Sequence, residues 1–241
     1  MATSIEQQLA SSDTPLVTLS LFRFQSWHKA WAFLQMARGR FLLNNVPGLR
    51  FWKLMGTGKG IGFSMVPDLG QYGLLTVWEQ PEQAYGFHRN GKLPKAFQQH
   101  AVDNQTFYLV PAKAQGLWSG QRPFDPALDT NGHDLSNLRM GVLTRATIAW
   151  RSLHRFWQHV PLTSDELAKA PGVQFSAGLG EAPFVMQATF SVWENQQAMQ
   201  DFAYQSPEHL EVIRKTRSEQ WYAEELFSRF YLLSDLVHTE V

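Results

Sequence analysis

Alternating hydrophobic and polar residues mark several short segments in the first half of the chain, and stretches with helical spacing lie between them. Residues 16–24 alternate as a half-buried strand does, whereas Trp27, Trp31, Leu34 and Phe41 recur at helical spacing. The predicted elements, in chain order, are strand 16–24, helix 27–43, strand 49–55, strand 72–79, a helical stretch ending at His100, and strand 106–112. This order is β-α-β-β-α-β, the ferredoxin-like unit.

The second half of the chain repeats the first. The segment VWENQQAMQDF, which starts at Val192, matches VWEQPEQAYGF, which starts at Val77, at an offset of 115 residues, and APGVQF matches VPGLRF at an offset of 124. The difference of nine residues (124 minus 115) lies in one glycine-rich turn between two strands, where a tandem duplication tolerates an insertion. The pattern therefore predicts an α+β chain of two tandem ferredoxin-like units.

The predicted bounds follow from the same pattern. Residues 116–139 are dense in Gly, Pro, Asp and Asn, which is typical of a surface linker. In the second half we expect strand 142–148, helix 152–160 ended by Pro161, a short helix capped by Thr163, strand 186–194, helical residues to Gln220, and strand 222–233. The chain then divides into a flexible N-terminal tail at 1–15, a first unit at 16–115, a linker at 116–139 and a second unit at 140–238.

Composition narrows the classes of function. The 21 basic and 21 acidic residues cancel, so no nucleic-acid partner is predicted. The chain has no cysteine and no apolar run of the roughly 18 to 20 residues that a membrane span needs, so we expect a cytoplasmic protein. Aromatic residues are numerous, with 17 Phe, 9 Trp and 6 Tyr. They fit either a heavy core or a pocket for a flat or elongated apolar ligand.

Sequence motifs argue against a phosphate loop, a zinc-protease site and a nucleophile elbow, and they leave a haem site open. The segment GTGKGIG at 56–62 lacks the Ser or Thr that a phosphate loop needs after Lys59, and it precedes a strand instead of a helix. It is typical of a flexible turn between strands, lying over a pocket. No pair of histidines has the spacing of a zinc protease, and no nucleophile elbow is present. A single histidine is still sufficient as the axial ligand of a haem.

His209 is the histidine with the clearest local structure. Ser206 as N-cap, Pro207 at the first helical position and Glu208 in the first turn predict that a helix begins here. The counterpart of His209 in the first half, 115 residues earlier, is Pro94, which fits one site per chain. The residues alone leave open whether His209 binds a ligand or faces solvent at a helix start.

Six segments resemble the spheroidene monooxygenase family of carotenoid biosynthesis, and they extend from about Leu21 to Phe230. They are RGRFLLNNVPG, GLRFWKLMGTGKGIGF, GLWSGQRPF, LTRATI, GLGEAPFVMQATFSVW and EHLEVIRKTRSEQWYAEELFSRF. The resemblance implies a dimeric α/β-barrel-type fold built from the two units, and a haem-dependent oxygenase with haem b (iron) as its cofactor. Such an enzyme uses dioxygen and an external electron donor such as a ferredoxin to place a keto group on an acyclic carotenoid.

The resemblance also implies site residues. His209 becomes the axial ligand of the iron, because in related haem proteins of this fold that histidine lies on the second helix of the unit. His88, His100 and His154 are the fallback ligands. Arg217, two turns beyond His209, is expected either at a haem propionate or in a surface salt bridge. The expected walls of the pocket are Trp31, Phe63, Trp157 and Phe175.

Other functions remain open, because one fold serves many chemistries. One alternative is a haem protein with peroxidase- or dehydratase-like chemistry on a small molecule. Another is a cofactor-free monooxygenase or ligand-binding module, in which His209 and Trp157 line a pocket without iron. A carotenoid-like substrate would have to come from a bilayer surface or a carrier, so peripheral contact with a membrane is left open, as is a homo-oligomer.

Overall fold

The structure, a computed structural model, describes most of the chain. The described residues are 14–60, 66–126, 135–182, 184–205, 216 and 219–233, with the backbone alone for 159–165 and Gln205. Phe63, His209 and Arg217 lie outside the described residues, as does nearly all of the expected flexible tail. Thr14, the first described residue, is buried.

The described chain contains eight strands and five α-helices, and they follow the predicted order. They are β1 Leu16–Arg23, α1 His28–Leu43, β2 Leu49–Gly58, β3 Pro67–Trp78, α2 Pro81–Asn90, α3 Lys92–His100, β4 Asp103–Gly116, β5 Met140–Ile148, α4 Leu153–Lys169, β6 Val173–Ala182, β7 Met186–Trp193, α5 Gln196–Gln205 and β8 Tyr222–Leu232. A short 3-10 turn at Trp150–Ser152 precedes α4. The helical stretch predicted to end at His100 is two helices, since Gly91 separates α2 from α3 in an extended conformation.

The eight strands form one closed barrel in the order β1-β3-β2-β6-β7-β5-β8-β4. Each half therefore has the same strand order, β4-β1-β3-β2 in the first and β8-β5-β7-β6 in the second. The doubled motif occupies the same place in both halves, because Trp78 lies opposite Leu16 and Trp193 lies opposite Met140. The prediction of an α+β fold with two tandem ferredoxin-like units in an α/β barrel is confirmed.

Alternate residues of each strand face opposite sides of the barrel wall. Inward-facing side chains such as Leu19, Phe107, Phe190 and Phe230 form one buried cluster that fills the interior. Outward-facing side chains pack against the helices in a second cluster. The two sheets meet along β4–β8 and along β2–β6, and the second seam is short, with paired residues only at Gly56–Gly180 and Thr57–Leu179.

The segment predicted as a surface linker contributes to the core. Trp118 is 0% exposed and Phe124 is 2% exposed, and both belong to the interior cluster. The expectation of a plain surface linker is wrong for these residues, because the segment folds back into one end of the barrel. The indole Nε1 of Trp118 donates a hydrogen bond of 2.6 Å to Glu181. The division into units at 16–115 and 140–238 stays a prediction.

Pro161 does not end a helix, contrary to the sequence prediction. The helix α4 continues through it from Leu153 to Lys169, so there is no separate short helix starting at Thr163. A proline inside a helix removes one backbone hydrogen bond. Packing outweighs that loss here, since Phe156 and Leu167, on either side of Pro161, are both buried.

Candidate functional site

The candidate site lies between the second sheet and its helices, and it is recognised by comparison with the first half. We call the space between the outer face of β1–β4 and helices α1–α3 the first layer, and the corresponding space outside β5–β8 the second layer. Large side chains fill the first layer. They include Phe22, Phe24, Leu74, Trp78, Phe87, Leu93 and Phe97.

The strand register shows which residues are equivalent in the two layers. Leu54 pairs with Leu74, and Leu74 with Ser20; Gly178 pairs with Thr189, and Thr189 with Thr144. Five large residues of the first layer are thereby replaced by smaller ones, namely Phe22 by Ala146, Trp52 by Ser176, Leu54 by Gly178, Tyr72 by Gln187 and Leu74 by Thr189. Among the described residues, the outer face of β6 and β7 therefore bears less side-chain volume, and leaves more room, than its counterpart in the first half.

Two hydroxyl groups face this room without a partner among the described residues. Ser176 and Thr189 point outward, because their neighbours Phe175, Ala177, Ala188 and Phe190 belong to the barrel interior. The Oγ of Ser176 and the Oγ1 of Thr189 are buried, and neither makes a hydrogen bond within the described structure. Buried polar groups normally have partners, so this pair is a candidate contact for a bound group.

Arg229 adds a positive charge to the same face. It lies on β8 opposite Val142, and its equivalent in the first half is Tyr108, which lies opposite Thr18. Its Nε is buried without a hydrogen bond among the described residues, and its Nη2 lies 3.5 Å from the hydroxyl of Tyr204. No carboxylate of the described chain forms a salt bridge with it. Such a guanidinium is suited to an anionic group.

Trp157, a predicted wall residue, lies at one end of the second layer. Its indole Nε1 donates a hydrogen bond of 3.1 Å to the carbonyl oxygen of Phe184, and its ring packs against the rings of Phe156 and Phe184. Phe184 has a positive φ of 66°, and its side chain is 47% exposed. Trp157 thus holds the β6–β7 turn against α4. A role for it in cofactor binding stays a prediction.

Two other expected wall residues lie elsewhere. Phe175 faces the barrel interior, where its ring centroid is 4.9 Å from that of Phe107. Trp31 belongs to the first layer and stacks on the His100 ring with a centroid distance of 4.0 Å. Neither residue therefore faces the second layer, because spacing along the chain does not show on which side of the sheet an aromatic lies. Their role as walls of a ligand pocket stays a prediction.

The three fallback histidines are placed by ordinary contacts. The Nε2 of His88 is 2.8 Å from the hydroxyl of Thr18 in the first layer, and burial lowers the pKa of His88 from 6.5 to about 4. The Nδ1 of His100 is 2.9 Å from the carbonyl oxygen of Ala96. His154 is exposed on α4 and contacts Gln158. None of the three faces the room over β6 and β7.

A cavity of about 690 Å³ adjoins this room. Gly178, Gly180 and Gln187 of the second outer face line one side of it, and Phe33 and Met36 of α1 line the other. The cavity therefore crosses the short β2–β6 seam. Its remaining walls include Trp52, Leu54, Leu69, Tyr72 and Phe184, which are mostly apolar or aromatic.

Four charged side chains at one edge of the cavity, Lys53, Arg145, Glu181 and Glu224, neutralise one another. The Nζ of Lys53 lies 2.6 Å from the Oε2 of Glu181, and Arg145 contacts both Glu181 and Glu224. Backbone N–H groups of Ser119 and Gly120 donate to Glu224 at 2.9 and 2.7 Å. Burial raises the pKa of Glu224, but these two N–H groups and Arg145 outweigh it and hold that pKa below the usual value. The cluster ties the connecting segment to β8.

No group of three or more His, Asp or Glu side chains among the described residues is arranged to hold a metal ion. No helix in that part of the chain is long and apolar enough to cross a bilayer.

Comparison with known proteins gives close relatives. No protein-family model matches the chain. It is 34% identical over 223 residues to the spheroidene monooxygenase of Cereibacter sphaeroides, covering 91% of this chain and 67% of that protein. It is 33% identical over 220 residues to the enzyme of the same name from Rhodobacter capsulatus, covering 91% and 90%. The corresponding protein of Rubrivivax gelatinosus is 30% identical over 232 residues, covering 93% and 88%.

Solved structures share the fold at low identity. An aldoxime dehydratase superposes with a TM-score of 0.61 at 12% identity, covering 96% of this chain and 84% of that one. A second aldoxime dehydratase, solved in complex with butyraldoxime, gives a TM-score of 0.58 at 11% identity, covering 91% and 80%. At this identity the likeness extends to the fold.

Proposed function

The chain belongs to the spheroidene monooxygenase family, and we propose that it is a haem-dependent monooxygenase which inserts oxygen, as a keto group, into an apolar acyclic carotenoid-like substrate. Membership of the family makes the chain an oxidoreductase. Haem as the cofactor and the keto product are the parts that this proposal adds.

The observation that carries the haem part is the difference between the two layers. A haem is flat and largely apolar, with two carboxylate groups at one edge. The second layer has small residues, Ser176 and Gly178, where the first has Trp52 and Leu54. The guanidinium of Arg229 on the same face, which forms no salt bridge within the described part of the chain, fits a carboxylate. These residues fit such a group, whereas the first layer is already filled by its own side chains.

Each residue of the proposed site has a distinct task. His209, on the helix that the sequence predicts, would hold the iron through a neutral imidazole, because the N-terminus of a helix disfavours a protonated ring. Arg229 would pair with a carboxylate, with Arg217 as a second candidate for that role. When bound, the haem iron would supply the activation of dioxygen that no side chain provides. The apolar walls of the layer would exclude water from the reacting carbon.

The cavity supports an apolar, elongated substrate. Its wall is mostly apolar, and the charged pair Lys53–Glu181 at its edge is already neutralised. A polyene offers a protein little besides hydrophobic area, which stabilises binding by roughly 25 cal/mol per Å² buried. Because the cavity reaches Gly178 at the second layer, a chain lying in it would bring one end to the proposed cofactor.

The test is turnover by the purified full chain. It is incubated with haem, a reductant with an electron carrier, dioxygen and an acyclic carotenoid, and the products are identified by mass spectrometry. We expect a product with one keto group whose oxygen comes from labelled dioxygen. The same product without haem, or peroxide- or aldoxime-dependent chemistry with no oxygen transfer from dioxygen, would contradict the proposal.

A further inference from the structure

Helix α1 exposes large apolar side chains on the face that points away from the core. Its buried residues are Ala32, Gln35, Gly39 and Leu43. Its exposed residues include Phe33 and Leu34, each 62% exposed, and Phe41, which is 81% exposed. Isolated exposed apolar residues are common, but a continuous exposed stripe of large ones marks an interaction surface.

The helical geometry shows that these residues form one stripe. At about 100° per residue, Phe33, Leu34 and Phe41 lie on the side of α1 opposite its buried face, together with the exposed Ala30 and Ala37. We call this set, Ala30, Phe33, Leu34, Ala37 and Phe41, the outer stripe.

Basic residues flank the outer stripe on both sides. Lys29 and Arg40 lie along one edge and Arg38 along the other, all three are exposed, and α1 contains no acidic residue. An apolar stripe between basic flanks is the pattern of a helix lying in a membrane interface. We propose that α1 docks the protein on an anionic lipid surface, with the outer stripe in the headgroup region and the three cations against lipid phosphates.

The charge argues for lipid over a second copy of the chain. Two copies packed stripe to stripe would bring Lys29, Arg38 and Arg40 against the same cations of the other copy, which is unfavourable. An anionic leaflet offers the complementary charge instead. The corresponding helix of the second half, α4, exposes His154, Arg155 and Gln158 at its described outward positions, which is the usual polar surface.

The docked orientation also places the cavity at the lipid. Phe33 belongs to the outer stripe, and both Phe33 and Arg40 line the cavity that crosses the seam to Gly178. Docking through α1 therefore opens a route for an apolar molecule from lipid to the second layer. This route rests on the proposed function, whereas the docking itself does not.

The test measures co-sedimentation of the full chain, without haem, substrate or reductant, with vesicles of phosphatidylcholine alone or mixed with phosphatidylglycerol. We expect the wild type to bind the anionic vesicles. The Leu34→Ser/Phe41→Ser variant should bind them at least tenfold more weakly than the wild type, and the Arg38→Gln/Arg40→Gln variant should also bind them weakly. Trp150→Ser is the matched control, because Trp150 is 83% exposed and lies outside α1; its binding should equal that of the wild type.

Three results would overturn the proposal. The first is no binding of the wild type to anionic vesicles. The second is equal loss of binding in Trp150→Ser and in the outer-stripe variant. The third is a stable dimer of the wild type that becomes monomeric in the Leu34→Ser/Phe41→Ser variant, which would assign the stripe to a second copy. Since these experiments need no turnover, they are independent of the proposed activity. Circular dichroism confirms that each variant is folded.

Discussion

His88 should make the stability of the protein depend on pH in mildly acidic solution. It is 7% exposed in the first layer, and its one described hydrogen bond is with the hydroxyl of Thr18. Burial lowers its pKa from 6.5 to about 4. The unfolded chain therefore binds a proton at His88 at a higher pH than the folded chain does. The stabilising contribution is complete above about pH 6.5 and is lost as the pH falls toward about 4.

The magnitude follows from the two pKa values. At about pH 4.5 the solution is two units below the pKa of the unfolded imidazole, and at about 1.4 kcal/mol per unit this favours unfolding by about 2–3 kcal/mol. His88→Gln keeps a polar side chain near Thr18 and removes the titration. We therefore expect the free energy of unfolding of the variant to fall by about 2–3 kcal/mol less than that of the wild type between about pH 7.5 and 4.5.

The assay is urea unfolding followed by tryptophan fluorescence at both pH values, with His154→Gln as the control. His154 is exposed on α4, so its replacement should leave the pH dependence of the wild type unchanged. The reasoning is refuted if His88→Gln and the wild type lose the same free energy of unfolding on acidification, or if NMR titration of His88 gives a pKa near 6.5.

Three further predictions concern the cluster at the cavity edge and the second layer. Glu224→Gln should cost about 1–3 kcal/mol at neutral pH, because Arg145 and two backbone N–H groups lose a charged partner. Because the pKa of Glu224 is depressed, urea unfolding over a series of pH values should show this cost shrinking as the pH falls through the folded pKa. Arg229→Gln should weaken haem binding at least tenfold in a spectroscopic titration, whereas Arg155→Gln, which removes an exposed guanidinium of α4, should leave the affinity unchanged. Gly178→Leu gives the second layer the leucine that the first layer has at the equivalent position, Leu54, and it should abolish haem binding without changing the circular dichroism. Gly86→Leu is its control, because Gly86 is at an exposed helical position where an added Cβ meets nothing within 4 Å. Equal loss of haem binding in both variants would contradict the assignment of the second layer.

Local patterns were sufficient to predict the two ferredoxin-like units, whereas the barrel was implied by the family resemblance. Strand alternation and helix spacing depend on neighbours along the chain, and the doubled Val-Trp-Glu motif marks the same strand end in both halves. Pro161 is different, because its effect depends on what the flanking Phe156 and Leu167 pack against. Trp118 could not be placed either, since a stretch rich in Gly and Pro is typical of the surface and its burial requires the open end of a barrel.

Only part of the candidate site could be predicted from the sequence. Aligning the two halves already pairs Leu54 with Gly178 and Trp52 with Ser176, but their meaning depends on knowing that these positions share the outer face of the sheet. Arg229 could not be predicted from the sequence, because only the folded structure shows that no carboxylate among the described residues pairs with it. His209 was found from its helix start and the family resemblance, and it stays a prediction.

Titration of the purified apoprotein with haem, followed by its absorption spectrum, tests the central claim most directly. The wild type is expected to bind one haem with a distinct Soret band, and His209→Ala is expected to lose tight binding while retaining its fold. His88→Gln, His100→Gln and His154→Gln should bind as the wild type does, because none of these histidines faces the second layer. A wild type that binds no haem, or a His209→Ala variant with an unaltered Soret band, would contradict the account.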